Sequence, residues 1–177
     1  MSSEARASEE YKDTVRQNKD TVRLFYERVF GQGNLELADG IFDDEYVLHD
    51  RDQDPAQEVR KLDGIKKFVK DFRESFSELQ VSIIGEPMAV EEGNRVVTQF
   101  TVRGFFRRDP LELRVEWEGM SLSQFSQKGK ITESWSYWES GRMYEKLGYF
   151  EMKGPGPTSL LPHPDPGDWG RPPRGRR

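Results

Sequence analysis

From Tyr11 onward, apolar side chains recur at three- and four-residue intervals. Val15, Val22, Phe25, Tyr26, Val29 and Phe30 share one helical stripe, and the positions between them are mostly charged or polar. Gly31-Gln32-Gly33 ends that helix, and Asn34 reads as the cap of a short second helix from Leu35 to about Asp39, with Glu36 in its first turn. Glu45 to His49 reads as a short strand, followed by a loop at Arg51-Asp52-Gln53-Asp54-Pro55. Asp63 reads as the cap of a third helix, in which Ile65, Phe68, Val69, Phe72 and Phe76 repeat at helical spacing. After Ser77 the period drops to two. Strands are expected at 79–90, 95–106, 111–125 and 131–139, joined by turns at 91–94, 107–110 and 127–130. Gly85-Glu86-Pro87 predicts a bulge. A second is expected near Gly119, where the alternation of Leu111, Leu113, Val115 and Trp117 gives way to Met120 and Leu122. A last short helix is expected at 140–147.

Helices first and a meander afterwards predict an α+β fold: a cone-shaped barrel in which a curved antiparallel sheet wraps three N-terminal helices and encloses a cavity. Residues 1–10 are expected to be a flexible N-terminus and 11–151 the folded domain. The Pro-, Gly- and Arg-rich stretch 152–177 is expected to be a disordered extension, since such a composition builds no core.

Composition narrows the function classes. The 177 residues suit one domain, and the net charge of −5, with both signs interspersed, gives no basic face for nucleic acid. Cysteine is absent, which excludes thiolate chemistry and disulfides and fits a cytoplasmic protein. No apolar run reaches membrane-span length, and the first residues lack a signal-peptide core. His49 and His163 form no metal-ligand spacing, so no metal site is expected.

The most informative stretch is Ile131-Thr132-Glu133-Ser134-Trp135-Ser136-Tyr137-Trp138-Glu139. Aromatic area on both faces predicts a strand placed mid-sheet. Period two puts Trp135 and Tyr137 on one face and Ser136 and Trp138 on the other. Polar groups among rings fit a small-molecule pocket; a core strand with amphipathic aromatics fits equally well.

Four segments together resemble a known family. They are Asn18–Asn34, Tyr46-Val47-Leu48-His49-Asp50, Asp63-Gly64-Ile65 with Phe68-Val69, and Gly129–Glu139; in this order they resemble the SnoaL-like polyketide cyclases over roughly residues 15–150. The resemblance implies the nuclear-transport-factor-2-like barrel, a deep apolar pocket, cofactor-free chemistry and a homodimer paired through the sheet. It also implies a hydrophobic polyketide- or terpenoid-like ligand and ring closure or isomerisation by general acid/base catalysis. The alternatives are a non-catalytic small-molecule-binding or accessory protein of the same fold, and an epoxide-opening hydrolase or cyclase. Members of the family use an aspartate on the last strand as acid/base, with a histidine on the preceding strand. Here Ser136 stands at the first position and residues 111–125 contain no histidine. A serine has no usable pKa near neutrality and cannot replace a carboxylate base.

The remaining candidates for proton transfer are Glu118, Glu139 and His49. Glu118, beside Trp117, would serve if buried against rings; otherwise it belongs to the outward series Glu112, Arg114, Glu116, Glu118. Glu139 is otherwise a surface residue at a strand end. His49 would line the pocket as in relatives, or else be a histidine hydrogen-bonded at its mouth. Tyr46 could donate to a substrate oxygen, but lies on the opposite face from His49 if the strand is regular. Arg103 could hold an anion, or pair with Glu112 or Glu116. Trp117, Trp135, Ser136, Tyr137, Trp138, Phe68 and Phe72 are the expected pocket-shaping residues.

Overall fold

The computed structural model describes residues 3–50, 58–90, 93–108 and 111–139, so the expected helix at 140–147, the extension 152–177 and the loop Arg51–Pro55 lie outside the described residues. Helix α1 (Ser3–Arg23) begins before Tyr11, from which the helical stripe is read. It continues directly into a π-helical turn, Leu24–Phe30, which the three-and-four spacing alone does not reveal. The wider turn keeps Tyr26, Val29 and Phe30 all buried. It closes with the Gly31 N–H donating to the Tyr26 carbonyl. Arg73 caps the freed carbonyls beyond it: Nη1 donates to the Phe30 oxygen at 2.7 Å and to the Gly31 oxygen at 2.6 Å.

A 3₁₀ turn (Leu35–Leu37) and a four-residue helix α2 (Ala38–Ile41) lead into β1 (Phe42–Asp50), and β2 (Val59–Arg60) precedes α3 (Lys61–Glu74). Neither expected cap operates. Asn34 makes no capping side-chain bond, and Asp63 sits inside the first turn of α3 behind Arg60. The meander follows as β3 (Phe76–Val90), β4 (Arg95–Arg108), β5 (Leu111–Phe125) and β6 (Ile131–Trp138).

The six strands form one open sheet in the order β2-β1-β6-β5-β4-β3, so β6 is central, as its aromatics require. The expected antiparallel meander is present, with one parallel pair added at its edge. β1 runs parallel to β6, pairing Leu48 with Ser134 and Asp50 with Ser136, and the sheet is mixed. Alternation along a strand states which side chains share a face, not which strand lies alongside.

The bulge at Gly85-Glu86-Pro87 is present as a register shift between Ile84 and Met88. The one expected near Gly119 is absent: β4 and β5 pair without a shift from Arg95↔Gln124 to Arg108↔Leu111. The inward series of β5 continues unbroken as Val115, Trp117, Gly119, Ser121, Ser123 and Phe125, all buried. Small residues simply replace large ones there, while Met120 and Leu122 belong to the other face.

The helices cover the inner face of the sheet. Val22, Tyr26, Val29, Phe30, Ile65 and Val69 meet Phe100, Val102, Trp117 and Phe125 in one buried core. Aromatic contacts knit it, including Tyr26 stacked on Phe100 at 4.6 Å and Phe72 stacked on Phe76 at 4.9 Å. The cone is therefore formed, but its interior is largely filled.

Candidate binding site in the cone

Adjacent strands of the inner face carry small hydroxyl residues at matched positions. Thr98 on β4 pairs with Ser121 on β5, which pairs with Ser136 on β6; one step along, Ser123 pairs with Ser134. All five are buried. Large side chains at these points would meet the helices, so the small ones leave a band of polar floor beneath aromatic walls.

The band is tied to the helix layer and to β1 by two phenols. Tyr26 of the π-helical turn donates to Ser121 Oγ at 2.7 Å, and Tyr46 of β1 hydrogen-bonds to Ser134. Ser134 Oγ lies 3.3 Å from Ser123 Oγ. Burial pushes both phenols well above the ordinary tyrosine value, because a phenolate would be stranded away from water; the serine contacts offset this only in part. Each phenol therefore stays a neutral hydrogen-bond donor.

Above this floor lies a hollow of about 20 Å³, lined by Phe25, Phe30, Phe68, Phe100 and Trp138 among others, and by Tyr26, Tyr46, Ser123, Ser134 and Ser136. That is room for one water molecule. Among the described residues, no aspartate, glutamate, histidine, lysine or arginine lines it. Trp138 Nε1 is buried without a hydrogen-bond partner among the described residues, as are Trp117 Nε1 and Thr98 Oγ1. Such orphaned donors are uncommon in folded proteins.

The expected site residues divide between two faces. Tyr46, Ser136, Trp138 and Phe68 line the hollow; Trp117 and Phe72 pack in the rings behind it. The others face away. Glu118 is exposed and accepts from Gln99 Nε2 at 3.1 Å, so the expectation of a carboxylate buried against rings gives way to the outward series. Glu139 is exposed at the end of β6, where its Oε2 accepts from the Glu118 N–H at 3.4 Å. Arg103 is exposed and donates to Glu116 at 2.9 Å.

His49 lies on the outer face, opposite Tyr46, as a regular strand requires. It stacks on Trp135 at 5.0 Å, with Nε2 at 3.1 Å from Glu133 and Nδ1 at 3.8 Å from Glu58. Trp135 and Tyr137 share that outer face. Sequence reading singled out Ser136 but passed over Ser121, Ser123 and Ser134. The available signal was the serine-x-serine spacing in Ser121-Leu122-Ser123 and Ser134-Trp135-Ser136, since residues two apart on a strand share a side.

Two larger depressions are open to solvent. One, of about 520 Å³, is lined by Lys70, Arg73, Glu74, Glu78 and Arg107 among others; the second lies along α1. No group of three metal-ligating side chains capable of holding an ion occurs among the described residues, and no helix there is long and apolar enough to cross a membrane.

Comparison with known proteins agrees with this architecture. Residues 22–134 match the SnoaL-like domain family. A structure assigned as a SnoaL-like polyketide cyclase from Jannaschia sp. CCS1 superposes with a TM-score of 0.64 at 17% identity, covering 75% of this chain and 92% of its own. A phenazine biosynthesis-related protein of Pseudomonas aeruginosa gives 0.65 at 16% identity, covering 79% and 90%. An LEH-like epoxide hydrolase of M. tuberculosis gives 0.59 at 16% identity, covering 76% and 91%. At such identities these structures establish the cone fold and nothing finer. No curated protein matches the sequence.

Proposed function

The chain belongs to the SnoaL-like family, and from that premise we propose that it is a receptor for a small hydrophobic molecule that has kept the family's cone without its proton-transfer chemistry. One observation carries this reading: among the described residues, everything polar that lines the hollow is neutral. Ser136, where the resemblance places an acid/base aspartate, is a buried hydroxyl on the floor. General acid/base catalysis needs a group able to hold and release a proton near neutrality, and serine and a buried phenol keep theirs without releasing it. The guest has to displace side chains, because the hollow as it stands admits one water. The half-buried rings of Phe25 and Phe68 are the ones proposed to give way.

The enzymatic reading, ring closure or isomerisation of a polyketide- or terpenoid-like molecule, stands second. Family membership favours it, as does Tyr46, which can donate to a carbonyl; it lacks a base. Epoxide opening needs a carboxylate relay, and no aspartate lines the hollow among the described residues.

The outer face of the sheet presents Met88, Val90, Met120 and Tyr137, all exposed, and a second copy of this chain is the proposed cover for it.

Titration with aromatic polyketide-like ligands, followed by tryptophan fluorescence, separates the first two readings. A receptor gives saturable quenching and an unchanged ligand by mass spectrometry. Turnover by the unmodified protein favours the enzyme, and failure to bind any of them overturns the receptor.

A further inference from the structure

Resting on the receptor reading, we infer that the guest of the cone is an uncharged carbonyl compound, a ketone, ester or lactone, whose oxygen accepts a hydrogen bond from the indole N–H of Trp138.

Both phenols and two of the serines around the hollow already have partners. Tyr26 donates to Ser121, Tyr46 bonds Ser134, and Ser134 lies within reach of Ser123. The Trp138 N–H has none among the described residues, although the ring lines the hollow and the nitrogen is shielded from water. An indole N–H only donates, so its complement must be an acceptor. A hydrocarbon guest leaves it stranded, and an unmet buried donor weakens the complex.

The acceptor must also be neutral. No lysine, arginine or histidine lines the hollow among the described residues, so a carboxylate guest would enter without a counter-ion, next to rings. The walls supply the rest of the recognition. Trp138 is fixed edge-on against Phe100 at 5.2 Å and faces Phe30 at 6.4 Å, which suits an aromatic or alicyclic body beside the carbonyl.

Three probes of nearly the same shape test this: acetophenone, α-methylstyrene, in which the carbonyl oxygen becomes a methylene, and benzoate. Their affinities for the full-length protein are measured by NMR, reading the side-chain indole N–H signals. The expected result is that acetophenone binds roughly tenfold tighter than α-methylstyrene, as one net neutral hydrogen bond allows. It also moves the Trp138 N–H signal downfield, and benzoate binds on the order of a hundredfold more weakly. In Trp138→Phe the preference for acetophenone over α-methylstyrene disappears. Should that variant fail to fold, through-bond assignment of the same signal in the unmodified protein gives the readout. Equal affinity for acetophenone and α-methylstyrene, or tighter binding of benzoate, overturns the inference and leaves the receptor standing. Binding of none of the three overturns both.

Discussion

The ring of Phe100 occupies the space where a side chain at position 119 would begin. A Cβ placed on Gly119 would stand 2.5 Å from Phe100 Cζ and 3.1 Å from the Tyr137 carbonyl oxygen. Phe100 has no room to retreat, being fully buried between Tyr26 and Trp138. Gly119→Ala is therefore expected to lose about 1–3 kcal/mol of stability in urea unfolding, the range seen when a packed core must admit extra atoms. An unchanged midpoint would mean that the ring swings aside.

The Tyr26–Ser121 bond should be visible as coupling. Tyr26→Phe and Ser121→Ala each remove one partner of a buried pair. Their double-mutant cycle is expected to return about 1 kcal/mol of interaction energy in chemical denaturation. Strict additivity would show that the bond contributes nothing net.

Stability should fall in alkali. Both buried phenols have folded-state values raised above the ordinary 10.0. The protonated form is thus favoured more in the fold than in the unfolded chain. Their contribution is fully present below pH 10 and is lost as pH climbs from there towards the raised values, by up to about 1.4 kcal/mol per pH unit for each phenol. Urea midpoints measured across that range, with phenolate absorbance read alongside, check this. In Tyr26→Phe the slope should be reduced by the share of one phenol.

Glu118→Gln and His49→Ala should leave ligand affinity within twofold of the unmodified protein, since both groups face away from the hollow. Glu118→Gln should also shift stability by no more than about 0.5 kcal/mol, the usual outcome for an exposed site. A large loss of binding in either variant, measured by the same fluorescence titration, would show that the outer face participates in the site.

Met120 is 47% exposed and Tyr137 51% exposed at directly paired positions of β5 and β6. If a second copy covers them, Met120→Glu places a charge in the contact. Light scattering should then report half the mass found for the unmodified protein, with circular dichroism unchanged. A monomeric unmodified protein would dispose of the pairing.

The fold was largely legible in the sequence, because helical stripes such as Ile65, Phe68, Val69 and Phe72 and period-two runs such as Val115 and Trp117 are direct images of one-sided burial. The face assignment of β6 followed from period two alone. The site was less legible. Glu118 reads the same whether its strand runs regularly or slips by one residue. Gly119, Ser121 and Ser123, where the apolar alternation suggests a change of phase, continue the inward pattern in residues small enough to leave a floor. His49 was drawn inward by resemblance, while its own strand geometry, opposite Tyr46, placed it outside. The size of the hollow depends on how Phe25, Phe30 and Phe68 interdigitate, which no spacing rule encodes.

The parallel seam between β1 and β6 also governs assembly. Its two halves come from opposite ends of the described chain, with Leu48 beside Ser134, and every hairpin of the meander lies between them. The local hairpins can zip as they are made, and β2 can pair with β1 over two residues, but the other edge of β1 stays open until β6 arrives. On the ribosome the N-terminal third must therefore wait with one edge of β1 unpaired, so a chain stalled before Ile131 presents an adhesive edge to its surroundings. Late closure of distant segments makes for slow folding, and a cell making this protein would be expected to shield that interval with a chaperone.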